Sequence, residues 1–416
     1  MKLMWLCNVA PGAIREAITG HKSSGLWMDR VLTDLRKQED ISLRVLCPNE
    51  QETEGKLDER CSYSCFIEGP PYVYSAQMEE QFCARLEEFK PDVIHIWGTE
   101  FAHTLAMVNA AERKGLLSKV AVSIQGLCSV IAAHYTEGIP ASVQRGATFR
   151  DVLRRDNIRS QQEKFTLRGR LEEEALKKVR HVIGRTSWDR ACTDGVNPEA
   201  KYHFCNETLR EEFYDDKWSY DSCQKHRIFA SSCMYPIKGF HYLLRSLRKV
   251  KERYPDAVLA VPGSSPVADT LQKKLRQSSY QKYLAELMTG LEDSVEFLGS
   301  LSAEEMKRQY LKSNVFVLPS TIENSPNSLG EAMLLGVPCV AADVGGVCDM
   351  MTRNDEGYIY PSTAPYMLAY YIQSVFEQEA AAQAMGVRAA GHATRTHDPE
   401  TNLQTLLSIY REVAGQ

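Results

Sequence analysis

The feature that most restricts the fold of this 416-residue chain is an alternation, run through twice, of short apolar stretches with segments of helical period. In the first half "KLMWLCN" (2–8), "ISLRVLCP" (41–48), "DVIHIWG" (92–98) and "VAVSIQG" (120–126) are separated by "GLWMDRVLTDLRKQ" (25–38), "EEQFCARLEEFK" (79–90) and "TLAMVNAAERKG" (104–115). Apolar runs of strand length, each followed by an amphipathic segment, imply crossover units and a parallel sheet covered by helices on both faces. After "HVIGRTSWDRACT" (181–193) comes a polar stretch without clear period (196–226), and the alternation then restarts. "HRIFASS" (226–232), "AVLAVPG" (257–263), "SVEFLGS" (294–300), "NVFVLPS" (314–320), "PCVAAD" (338–343) and "GYIYP" (357–361) mark the second series. Two doubly wound α/β domains follow, with a junction expected near 213–225. If they face each other across a cleft, the carboxyl ends of both sheets, where ligands bind in this architecture, share one gap.

Composition excludes more than it selects. With 44% hydrophobic and 25% charged residues and no low-complexity tract, the chain reads as an ordinary globular protein. A formal charge of -5 gives no global reason to expect nucleic acid. The N-terminal apolar run is too short for a secretion signal and is followed at once by Arg15 and Glu16, and no run reaches the ~18 residues of a membrane span. The twelve cysteines lack any Cys-x-x-Cys pairing, so buried free thiols in a reducing cytoplasm are expected. From Arg145 to Arg180 eleven Lys and Arg stand against six Asp and Glu. That stretch is either a solvated helical face or a cationic patch for acidic headgroups or a pyrophosphate, and the second reading makes peripheral contact with the inner face of the cell membrane an option.

The stretch "ENSPNSLGE" (323–331) carries the chemistry. "NVFVLPS" is a buried strand, and the loop after it ends in Ser325-Pro326, a cap followed by a residue suited to a first helical position. Asn327, Ser328 and Leu329 would then present backbone N–H groups at a positive helix end, which is an anion site. Glu323 lies before that site at the cleft rim, and Glu331 lies about one and a half turns inside the helix. Carboxylate, N–H groups, carboxylate matches hydroxyl, diphosphate, hydroxyl, the order of groups in a nucleotide sugar.

This pattern, followed by "EAMLLGVPCVAADVGG", resembles the retaining glycosyltransferases of family 4, which have the GT-B fold. The resemblance implies two Rossmann-like domains, the donor site in the C-terminal one, and a final helix, matched by "TNLQTLLSIYREV" (401–413), that crosses back. It divides the chain into an N-terminal acceptor domain, 1–212 with 395–416, and a C-terminal donor domain, 213–394. It implies that Glu323 faces the donor sugar, with Asn324 and Ser325 beside it, that Glu331 binds the ribose and that Leu301 lines the base with its backbone. Of the family's Arg-x4-Lys pair for the diphosphate, Lys238 is present, but the arginine position holds Cys233, and Arg185 or Arg210 would have to replace it.

On the N-terminal side the family's Gly-rich loop is reduced to Ser24-Gly25, and Gln125 stands where a histidine is common. A glutamine cannot carry a proton, which suits a mechanism in which the leaving phosphate takes it. Glu100, His103, Gln125 and Arg185 are the acceptor-side candidates, whereas His95 alternates with apolar residues as a core histidine does. No Asp-x-Asp motif sits at a strand end, so neither metal nor cofactor is expected. The implied activity is transfer of a sugar, from a UDP-sugar, to a glycan or lipid-linked acceptor in surface-polysaccharide synthesis. The alternatives are a nucleotide-sugar or glycan-binding protein without transfer, motivated by Cys233 and Gln125, and a sugar-nucleotide epimerase of the same architecture.

Overall fold

A computed structural model describes residues 1–21 and 27–415, and the chain divides into two compact units. Unit 1 comprises 1–130, 164–210 and 396–416, and unit 2 comprises 131–163 and 211–395. The stretch 131–163, assigned to the N-terminal part on sequence, therefore groups with the second unit, and the boundary at 163/164 falls inside the helix Ile158–Leu176.

Unit 1 is built on eight strands: β1 (Lys2–Cys7), β2 (Ser42–Pro48), β3 (Glu54–Lys56), β4 (Cys61–Phe66), β5 (Val93–Trp97), β6 (Val120–Ser123), β7 (His181–Gly184) and β8 (Lys201–Phe204). They lie in the order β3-β4-β2-β1-β5-β6-β7-β8, all parallel except β3. Unit 2 has β9 (Gln224–Phe229), β10 (Val258–Val261), β11 (Val295–Phe297), β12 (Ser313–Leu318), β13 (Cys339–Asp343) and β14 (Tyr358–Pro361), all parallel, in the order β11-β10-β9-β12-β13-β14.

Both orders reverse direction beside the first strand, between β1 and β5 in unit 1 and between β9 and β12 in unit 2. At such a switch point the loops leaving the two neighbouring strands run to opposite faces of the sheet, and a crevice opens outside their carboxyl ends. The strands β3, β4 and β8 escape the apolar-run criterion. "EGK" has no apolar residue and "CSYSCF" alternates small polar and cysteine side chains, yet β4 is buried along almost its whole length.

The core of unit 1 ties its last helix to its first strand. Tyr410, on the helix Pro399–Val413, accepts a hydrogen bond from Trp5 Nε1 (3.0 Å) and bonds His95 Nδ1 (2.6 Å), while His95 Nε2 bonds Ser123 Oγ (2.7 Å). His95 is fully buried with both ring nitrogens satisfied, and burial holds its pKa down at about 3, so it is a neutral core residue. All twelve cysteines are free thiols, ten of them buried. Among the described residues no helix is long and apolar enough to cross a membrane.

Candidate functional site

The unit 2 switch point assembles its polar groups from the loops that leave β9 and β12. Lys238 ends a 3-10 turn after β9, and Glu323 lies five residues beyond β12. Three local restraints bring them together. The Thr321 N–H donates to the Ile237 carbonyl (2.8 Å), which clips one loop to the other. Gly239, at φ +64°, lets its backbone pass so close to Pro319 that a Cβ there would stand 1.7 Å from the Pro319 carbonyl oxygen. Behind Glu323 the turn Gly345-Gly346 does the same: the Gly346 N–H donates to the Glu323 carbonyl (3.2 Å), and a Cβ on Gly345 would lie 1.7 Å from that oxygen. The result is a direct pair, Lys238 Nζ to Glu323 Oε1 at 2.6 Å, with Ser320 Oγ donating to the same oxygen at 2.7 Å. Both bonds fall on Oε1, so among the described residues Oε2 keeps its lone pairs for a hydroxyl donor. One third of the Lys238 side chain is exposed, so a ligand can reach the pair.

The helix that follows runs Asn327–Leu335 and begins one residue later than the sequence implied. Pro326 is its N-cap, with φ −70° and ψ 116°, and no side chain caps it, so Ser325 is not the cap. Leu329 also departs from expectation, because its N–H donates to the Pro326 carbonyl at 2.9 Å as the first turn tightens. The amides of Asn327 and Ser328 have no partner among the described residues and remain available at the positive end. Glu331 is 3% exposed and lies 3.4 Å from the hydroxyl of buried Tyr310, which donates to the Ser328 carbonyl at 3.0 Å. Asn324 is buried, Ser325 half-buried, and Leu301 half-buried after β11.

Cys233 takes no charged role. It is 2% exposed, its Sγ donates to the Pro262 carbonyl (3.3 Å), and burial pushes its pKa up to about 12. Nor does Arg185 supply a spare cation: it lies in unit 1, ion-paired to Glu207, and donates to the Ile124 carbonyl at 3.1 Å. Gln125 Nε2 bonds the other oxygen of the same Glu207 at 2.5 Å. Arg185 and Glu207 border a small cavity of about 20 Å³ that Trp97 and Ser123 also line.

At the unit 1 switch point a second polar chain crosses from β1 to β5. Asn8 Nδ2 donates to Glu100 Oε2 (2.8 Å), Asn8 Oδ1 meets His103 Nε2 (2.9 Å), and His103 Nδ1 meets Glu68 Oε1 (2.8 Å). Glu100 and His103 are thus joined, and burial raises the Glu100 pKa. Close by, Glu172 accepts from Thr99 Oγ1 (2.6 Å), Cys128 N (3.0 Å) and Ser129 N (3.2 Å), although burial lifts its pKa to about 7. Asn8, Glu68, Glu172 and Glu207 were missed on sequence. Asn8 was findable, since it directly follows the first apolar run and so sits at the carboxyl end of the central strand. Gly25 falls outside the described residues. Trp97 is 3% exposed against Trp5 and Trp27, and Trp188 packs on the core.

Elsewhere in unit 1 the ligand-bearing atoms of His181, His203 and Glu412 lie within 4.8 Å of one another. They are balanced without an ion, by a 2.9 Å bond between the two imidazoles and a 2.6 Å pair of Glu412 with Lys201.

Comparison with known proteins follows the same division. The model of the family described as Glycosyl transferases group 1 matches residues 219–392, nearly all of the longer segment of unit 2. An uncharacterized glycosyltransferase of Methanocaldococcus jannaschii is 29% identical over 153 residues, 36% of this chain and 36% of that protein. The chain covers 20 to 46% of the length of the first curated relatives it matches. Over the whole chain the fold is that of GT-B structures. Sucrose-phosphate synthase from Thermosynechococcus elongatus superposes with a TM-score of 0.72 at 15% identity, covering 99% of both chains. Anabaena HepE in complex with UDP-glucose gives a TM-score of 0.66 at 17% identity, covering 98% of this chain and 99% of that one.

Proposed function

We propose that this protein is a retaining glycosyltransferase that moves a sugar from a UDP-sugar to a hydroxyl of a glycan or lipid-linked acceptor in polysaccharide synthesis. The observation that carries the reading is the Lys238–Glu323 pair at the β9/β12 switch point, directly ahead of a helix whose first two amides are unpartnered among the described residues. A diphosphate fits the Asn327 and Ser328 amides and the Lys238 ammonium, Glu331 takes the ribose hydroxyls, the Leu301 backbone lines the base, and Glu323 faces the sugar. A UDP-sugar donor is favoured by the fold shared with HepE, whose structure holds UDP-glucose.

In the step proposed, the bond from the anomeric carbon to the diphosphate oxygen breaks as the acceptor oxygen bonds to that carbon on the same face. The acceptor proton passes to the departing phosphate oxygen, and Lys238 offsets the charge gathering there. No side-chain base is needed, and the helix end with Lys238 does the work a metal would otherwise do. On the acceptor side Glu100 and His103 are the candidates, with Gln125 and Arg185 held by Glu207 as a second group.

One observation favours another reading. Cys233 is a buried neutral thiol where the resemblance calls for a cation, which fits a protein that binds a nucleotide sugar without transferring it. Incubation with a panel of nucleotide sugars, following nucleotide release and identifying products by NMR, separates the cases. Slow release with retained anomeric configuration is expected, binding without release supports the binding protein, and an isomerised donor supports an epimerase.

A further inference from the structure

Two short helices of unit 2 present their apolar sides outward. Phe149–Arg154 and Leu271–Arg276 pack beside each other although 122 positions separate their starts, and what joins them is polar. Thr148 Oγ1 donates to the Gln277 carbonyl (2.7 Å), and the Ser279 N–H donates to Asp151 Oδ2 (2.8 Å), a carboxylate only 2% exposed. With the polar groups turned inward, Phe149, Val152 and Leu153 are left 67, 68 and 74% exposed, and Leu271 and Leu275 74 and 49%. The spacings i, i+3, i+4 in one helix and i, i+4 in the other place these side chains on one face of each helix. An apolar patch of this size at positions that could have been polar marks an interaction surface.

The charge around it selects the partner. Residues 145–159 and 269–282 carry nine Lys and Arg against three Asp and Glu, in a chain of net charge -5. All three acids are engaged locally, Asp151 in the helix junction, Asp156 with Arg150 (3.1 Å) and Asp269 with Lys273, while Arg154, Arg155, Lys274 and Arg276 are exposed. Protruding aliphatic and aromatic side chains ringed by cations match an acyl layer beneath anionic headgroups, the two signals that hold a peripheral protein on a bilayer. The basic stretch noted on sequence is only partly this surface. Its C-terminal half is used inside unit 1, where Arg168 donates to the Glu100 carbonyl (2.5 Å) and Lys178 pairs with Glu112 (2.7 Å), and half of the patch comes instead from 271–276.

We infer that the Phe149–Arg154 and Leu271–Arg276 helix pair docks the protein on an anionic lipid surface. The inference extends the proposed function and rests on it only for the lipid-linked acceptor.

Flotation of the whole chain with vesicles of phosphatidylcholine, with and without about 30 mol% phosphatidylglycerol, tests it with neither donor nor acceptor present, so its failure leaves the donor reading untouched. Binding is expected to anionic vesicles, to weaken at high salt, and to fall about tenfold or more both in Leu153→Asp/Leu271→Asp and in Arg154→Glu/Lys274→Glu. The milder Val152→Ser/Leu275→Ser reads the same loss should the first pair disturb folding, which circular dichroism checks. Absence of flotation, equal flotation of all variants, or a self-association in sedimentation velocity that the variants abolish while no vesicles are bound would overturn it.

Discussion

Lys238 Nζ lies 2.6 Å from Glu323 Oε1, although 85 positions separate the two residues. The pair closes the switch point of a six-stranded parallel sheet, and neither partner is chosen by local structure alone. Because the lysine is one third exposed, the pair contributes at most about 1 kcal/mol to stability and opens readily for a ligand. In the proposed reaction a cation and a carboxylate set side by side would serve opposite ends of a sugar diphosphate.

Lys238→Ala is therefore expected to leave the thermal midpoint almost unchanged while lowering kcat for nucleotide release by ~10² or more, since a cation at the leaving group acts mainly in the transition state. Circular dichroism and a coupled release assay measure the two effects. A loss confined to stability would remove the lysine from the reaction.

Gly345 positions Glu323 through the backbone. Alanine there must hold φ +50° and place its Cβ 1.7 Å from the Glu323 carbonyl oxygen, so the Glu323 loop has to move. Turnover should fall at least ~10-fold, with a stability loss of roughly 1–2 kcal/mol in urea titration. Wild-type turnover in Gly345→Ala would show that the turn does not set the carboxylate.

Restoring the family's arginine should fail. Cys233 is 2% exposed and its sulfur stands 3.1 Å from the point a Gly263 Cβ would occupy, so Cys233→Arg adds volume and charge without room or a partner. A destabilisation above ~2 kcal/mol is expected, with no gain in turnover. A stable, faster Cys233→Arg would mean that the loop can turn this side chain outward.

Unit 1 carries opposed titrations. Burial holds His95 and His203 at about 3 and about 4, so below the ordinary 6.5 only the unfolded chain gains protons there and stability falls with pH. Glu172, raised to about 7, works the other way: between 7 and its ordinary 4.5 the folded form takes up the proton, so its contribution grows as pH falls. Glu172→Gln removes that offset, and the decline in stability from pH 6.5 to 4.5 should steepen by up to about one proton, ~1.4 kcal/mol per pH unit. Urea midpoints across that range measure it, and parallel profiles for the two proteins would contradict the assignment.

The long apolar runs made both sheets legible, because strands buried on both faces are apolar at every position. β4 and β8 were not, since "CSYSCF" is buried although most of it is serine or cysteine, and "KYHF" is an edge strand exposed at both ends. At the site, the loop of Glu323 and the helix after it could be read from order along the chain to within one residue, and Lys238 only from the family resemblance. The cap is ambiguous on sequence because Ser325 and Pro326 suit two adjacent roles, and in the structure Pro326 holds the N-cap. Asn8 and Glu207, which bind the unit 1 candidates to one another, could not be paired on sequence, as the contacts Asn8–Glu100 and Gln125–Glu207 span 92 and 82 residues.

The most direct measurement compares kcat and nucleotide affinity of wild type and Glu323→Gln on the donor that the panel selects. Glutamine keeps the size and one acceptor but removes the charge beside the reacting sugar. The expected result is a kcat lowered by ~10² or more with the Kd for the free nucleotide changed less than about threefold, in a protein that melts as wild type does. Undiminished turnover in Glu323→Gln would contradict the assignment of this switch point as the site of sugar transfer.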